Sequence, residues 1–129
     1  MQIVTQLSVF LENRPGMLAR TCQALAKAKI GILALSIVDT IDHSVVRMVV
    51  DQAKAAEQIL SNLHTMVQVR DVIVMEVPNQ VGAVAHIAEQ LAEAGINIEY
   101  AYCTALPTQA IGILVLRTND LEATINALS

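Results

Sequence analysis

Glu12-Asn13-Arg14-Pro15-Gly16-Met17-Leu18 joins an apolar strand to an amphipathic helix, and 66 residues on (79 − 13) Pro78-Asn79-Gln80-Val81-Gly82-Ala83-Val84 does the same. Each copy offers an Asn suited to capping a helix and, three residues later, a Gly that lets another molecule approach the backbone closely. The first turn of a helix carries unbonded amide donors and about half a positive charge, so it suits a carboxylate or a phosphate. As a bare pattern Asn-x-x-Gly is weak, because both residues are ordinary in turns. Its recurrence in register inside a larger repeat gives it weight.

Working outward, Leu7, Val9 and Leu11 alternate with Gln6, Ser8 and Phe10, which predicts a strand from Ile3 to Leu11 with one apolar face. Pro15 is expected at the start of the following helix, where its missing N–H costs nothing, and Leu18, Cys22, Leu25 and Ala28 or Lys29 follow at helical spacing until Gly31. Ile32 to Thr40 and Ser44 to Asp51 read as a hairpin turning at Ile41-Asp42-His43. Gln52 to His64 reads as a second helix with Ala55, Ala56, Ile59, Leu60 and Leu63 as its apolar stripe. Met66 to Val77 is long for one strand and carries Arg70-Asp71 in its middle, so it closes the first unit and opens the next.

A shift of 66 then lays Ile73, Met75 and Val77 on Leu7, Val9 and Leu11, Ile111 to Leu116 on Val45 to Val50, and Leu121, Ile125 and Leu128 on the second helix, without a gap. The expected fold is α+β: two tandem ferredoxin-like βαββαβ units, residues 1–68 and 69–129, with antiparallel sheets and helices on one face. The second copy lacks a closing strand of its own. Met1 to Thr5 align with Val67 to Asp71 and so are placed to complete the second sheet, unless another subunit fills that edge.

Composition bounds the function. Apolar residues make up 54% of the 129 and mean hydropathy is +0.52. Yet charged or amide side chains interrupt every apolar run before the ~18 to 20 residues that span a bilayer, so no membrane segment is expected. The N-terminus lacks a basic start and a long apolar core, which argues for a cytoplasmic protein. A net charge of −4 with 2% aromatic residues supplies neither the phosphate-neutralising surface nor the stacking platforms of nucleic-acid binders. Cys22 and Cys103 read as small buried core residues. His43, His64 and His86 have no second ligand at metal spacing, and no phosphate loop or nucleophile context is present, so neither a cofactor nor catalysis is expected. The strands at Val45–Val50 and Ile111–Leu116 are apolar on both faces, and units of this size are marginal alone, which points to a homo-oligomer, a dimer first.

A duplicated βαββαβ unit with Asn-x-Pro-Gly between strand one and helix one, and with Ile30-Gly31-Ile32 and Ile96-Asn97-Ile98 opening strand two, resembles the ACT domain family over the whole chain, as two tandem copies. The resemblance implies a regulatory module that binds an amino acid or similar metabolite at an interface between domains. One side would be the strand-one to helix-one loop and the other strand two of a neighbour. It places the ligand at Asn13, Arg14, Pro15, Gly16, Met17 and Leu18 with Ile32 and Leu33, and in the second copy at Asn79, Val81, Gly82, Ala83 and Val84 with Ile98 and Glu99. Amides of Gly16, Met17 and Leu18 would take the α-carboxylate; the Asn13 side chain, or strand carbonyls near Ile32 and Leu33, would take the α-ammonium. Val81 stands where the family pattern has Pro. The alternative is a structural or regulatory subunit that docks on an enzyme of amino-acid metabolism and holds no ligand itself.

Overall fold

A computed structural model describes all residues, Met1–Ser129. In chain order the elements are β1 (Gln2–Glu12), α1 (Met17–Lys27), β2 (Ile32–Asp39), β3 (His43–Val50), α2 (Ala53–Asn62), β4 (Met66–Pro78), α3 (Ala83–Glu93), β5 (Ile98–Thr104), β6 (Ile111–Thr118) and α4 (Leu121–Leu128). Hydrogen-bonded strands follow the order β2-β3-β1-β4-β6-β5. The central strands β1 and β4 are the longest, 11 and 13 residues, and each is divided between two compact units. Thr5–Arg70 form one unit; Met1–Val4 and Asp71–Ser129 form the other. The architecture is that of tandem ferredoxin-like α+β units that share β1 and β4.

In the first unit the alternation of β1 decides which side faces the helices. Leu7, Val9 and Leu11 are buried in one cluster with Val46, Met48, Leu25, Ala56 and Leu60, against which Met17, Leu18 and Leu63 pack. The corresponding cluster of the second unit gathers Ile73, Val77, Ile87, Leu91, Leu114 and Leu116. Such cores are the main driving force for each unit, at about 1.5–3 kcal/mol for each large aliphatic side chain removed from water.

The register corrects the gapless repeat. Leu7 pairs with Met48 and Ile73 with Leu116, so β1 and β4 are offset by 66 while β3 and β6 are offset by 68 (116 − 48). Two extra residues therefore sit between β5 and β6, and α4 repeats α2 at the larger offset: buried Ala56 and Thr124 correspond (124 − 56 = 68). The change of offset is visible in one reciprocal pair. Gly31 N donates to Asp51 Oδ1 at 3.0 Å and Asp51 N to Gly31 O at 3.1 Å; in the second unit Asn97 N donates to Asn119 Oδ1 at 3.1 Å and Asn119 N to Asn97 O at 3.3 Å.

Helix α1 ends at Lys27, short of Gly31, because Lys29 takes a left-handed conformation (φ 58) that turns the chain back. Its counterpart Gly95 does the same at φ 72, where a glycine carries no Cβ penalty. Cys103 departs from the buried position expected: it is exposed, because β5 is an edge strand, while Cys22 on α1 is half-buried. Both thiols are free. No helix is long and apolar enough to cross a membrane.

Candidate functional site

The turns at the heart of the two loops are built alike. Met17 N approaches Arg14 O at 3.5 Å and Ala83 N bonds Gln80 O at 3.2 Å, closing turns over Pro15-Gly16 and Val81-Gly82. Gly16 stands at φ 87, ψ −12 and Gly82 at φ 88, ψ −4, the third-position values of a type II turn, which only a residue free of Cβ adopts without strain. A Cβ built on either glycine would meet nothing within 4 Å. The glycine is thus required by the backbone, and the space beside it is open. Pro15 belongs to this turn, at its second corner, and not to the helix; Val81 holds the same corner in the second copy.

Neither Asn caps a helix. Gly16 and Gly82 are the N-cap residues, with no side-chain cap, and Arg20 N to Gly16 O (3.0 Å) and His86 N to Gly82 O (2.9 Å) are the first helical bonds. Asn13 instead donates Nδ2 to Thr40 O at 3.1 Å, and Asn79 donates Nδ2 to Leu106 O at 3.0 Å and Gln109 O at 2.9 Å. Their backbone amides reach across as well, Asn13 N to Asp42 O at 3.0 Å and Asn79 N to Ala110 O at 2.9 Å. Each Asn therefore staples the loop to the adjacent hairpin turn, which fixes the loop. The Asn13 side-chain donor is engaged in this way, which ties the loop to the hairpin turn.

The strand-two residues lie elsewhere. In the first unit the loop follows the Glu12–His43 end of the sheet, whereas Ile32 pairs with Val50 at the other end. Seven residues of strand separate the two, roughly 20 Å. Ile32 and Leu33 are exposed at the start of edge strand β2. In the second unit Ile98 packs on the core, and Glu99 accepts from Arg117 Nε at 3.2 Å while Arg117 Nη1 donates to Asp71 O at 2.7 Å. Loop and strand two of one unit thus cannot hold the same small molecule.

What the loops do border is a pair of equivalent clefts. That of the first unit, about 620 Å³, is lined by Phe10, Leu11, Glu12, Arg14, Met17, Arg20, His43 and Leu63–Met66. That of the second, about 390 Å³, is lined by Met75–Pro78, Gln80–Ala83, His86 and Ile87. Both volumes suit a small metabolite. Arg20, His43 and His64 were not among the residues marked by sequence pattern. Arg20 was in principle readable, four residues after Gly16 on the first turn; His43 and His64 arrive from β3 and the end of α2. Arg14 donates Nε to Glu12 Oε2 at 2.7 Å, both side chains about 60% exposed, a pair worth under ~1 kcal/mol. No group of His, Cys, Asp and Glu side chains is arranged to hold a metal. Burial raises the Cys22 thiol above its ordinary pKa, the opposite of an activated nucleophile.

Comparison with known proteins bears on the fold and the family. The structure of protein BT0572 from Bacteroides thetaiotaomicron superposes with a TM-score of 0.91 at 32% identity, over 98% of this chain and 86% of that one. The ligand-free regulatory subunit of aspartate kinase from Thermus thermophilus shares the fold with a TM-score of 0.73 at 18% identity, over 99% and 95% of the two chains. That of Thermus flavus does so at 0.67 and 20%, over 100% and 98%. No protein of curated function matches the sequence. The sequence profile that describes an ACT domain pair matches residues 1–128, and the chain belongs to that family.

Proposed function

We propose that the protein is a regulatory module that binds an amino acid at the strand-one to helix-one loops, with no catalysis of its own. The observation that carries this reading is the identical type II turn at Gly16 and Gly82, rigidly held by Asn13 and Asn79 and open to approach. A turn of that kind presents backbone amides without a side chain in the way, which is what capture of an α-carboxylate needs. Support also comes from the shared fold of the aspartate kinase regulatory subunits.

Because strand two of the same unit is out of reach, the second wall of each site comes from a neighbouring chain in this reading. The exposed apolar residues Leu33, Ile37 and Val38 on edge strand β2 suit such a contact and favour a homodimer. They also suit a partner enzyme, which is the second reading: a docking subunit without ligand. A thermal-shift panel of the common amino acids separates the two, since a ligand at 100 times its Kd adds about 2.7 kcal/mol to stability, a shift of several degrees. A flat panel together with co-purification of an enzyme would replace the sensor by the docking subunit.

A further inference from the structure

The two clefts occupy equivalent positions but differ in charge. Arg14 is replaced by Gln80, Arg20 by His86, Phe10 by Glu76 and Glu12 by Pro78 at the 66-residue offset, and His43 by Ile111 at the 68-residue offset. With His neutral, two Arg against one Glu leave the first cleft at +1, whereas Glu76 alone leaves the second at −1. The chain as a whole is acidic, 12 Asp and Glu against 8 Lys and Arg, and yet two of its arginines and two of its three histidines line this one cleft. They come from four different segments, the β1–α1 loop, α1, the start of β3 and the turn after α2, so no single amphipathic pattern accounts for the clustering. Neither is it a mere exposed helix face, since Phe10, Leu11, Met17 and Leu63 supply an apolar floor.

We propose that the first unit's cleft takes an amino acid with an acidic side chain, whose second carboxylate is held by the Arg14 and Arg20 guanidinium groups; this rests on the amino-acid-binding reading above. The planar guanidinium fork matches a carboxylate in two-point geometry, which Lys does not. The Glu12 contact through Nε holds Arg14 at the cleft and is weak enough to yield to a ligand. Gln80 and His86 make the second cleft unsuited to the same ligand.

The test is isothermal titration of the full chain with aspartate and glutamate, each against its amide, asparagine and glutamine, and with inorganic phosphate. The parent should bind one acid about ten-fold more tightly than its amide. The variant Arg14→Gln/Arg20→His, which installs residues that the second unit already carries in the same turn and helix, should keep its circular dichroism and lose the preference. If amide and acid bind alike, or if the variant keeps the preference, the proposal is overturned while amino-acid sensing stands. Binding of none of the four overturns the proposal, and amino-acid sensing falls with it only if the thermal-shift panel of the common amino acids is also flat. Inorganic phosphate binding as tightly as the acid marks a simple anion patch and overturns the specificity claimed.

Discussion

Asn13 donates its side-chain amide to the carbonyl of Thr40 at 3.1 Å, joining two loops that lie 27 residues apart in sequence. Asn79 makes the same bridge with two acceptors, Leu106 O and Gln109 O. Each such bond contributes about 0.5–1.5 kcal/mol, so Asn79→Ala should destabilise roughly twice as much as Asn13→Ala in urea unfolding. Equal midpoints for the two variants would show that the second acceptor contributes nothing.

At Gly82 the substitution series is more informative than a single change. Gly82→Ala should cost about 1–2 kcal/mol, because φ 88 sets its Cβ against its own backbone. Gly82→Asn should cost less, since Asn visits that region more readily. Gly112→Ala should fail for a different reason: its Cβ would stand 2.9 Å from Thr104 O, a backbone atom of the neighbouring strand. Denaturation midpoints that rank Asn below Ala at position 82 would refute the backbone explanation.

Val81→Pro should stabilise the protein by about 0.4–1 kcal/mol, by narrowing the unfolded ensemble. The corner is the one Pro15 already occupies in an equivalent turn, Gln80 N bonds Pro78 O as Arg14 N bonds Glu12 O, and the Val81 side chain is fully exposed. A lowered melting temperature would mean that the two turns differ in a way their hydrogen bonds do not reveal.

The two thiols should separate cleanly on alkylation. Cys103 is exposed on an edge strand, whereas burial raises the Cys22 pKa and leaves less thiolate near pH 8. Iodoacetamide followed by peptide mapping should label Cys103 first. The sign for stability follows from the same shift: the thiol ionises earlier in the unfolded chain, so its contribution is complete below the unfolded pKa and is lost as pH rises through the folded one.

Much of the architecture was readable before any coordinate, because alternation at Leu7, Val9 and Leu11 and its echo at Ile73, Met75 and Val77 are period-two signals with one buried side. The two-residue insertion between β5 and β6 was hidden by that same period. Sliding Ile111–Leu116 by two residues returns every side chain to its former face, and a strand apolar throughout offers no landmark against the slip. Asn13 was misread for another reason: the residue that caps helices is also the one that bridges loops, and only the position of Thr40 distinguishes the two roles. Likewise Glu99 appears free in sequence, since its partner Arg117 lies 18 residues away across a bulged strand pair. The cationic cleft escaped because its members share no periodicity; what they share is the end of a sheet.

The division of β1 between two units has a bearing on how the chain emerges during synthesis. Residues 5–70 complete one unit once Arg70 has left the ribosome, while Met1–Val4, made before them, belong to a body whose remainder, Asp71–Ser129, is made after them. Those four residues are therefore left waiting until Asp71–Ser129 appear, and a chaperone that holds Met1–Val4 during translation would delay the second half while sparing the first.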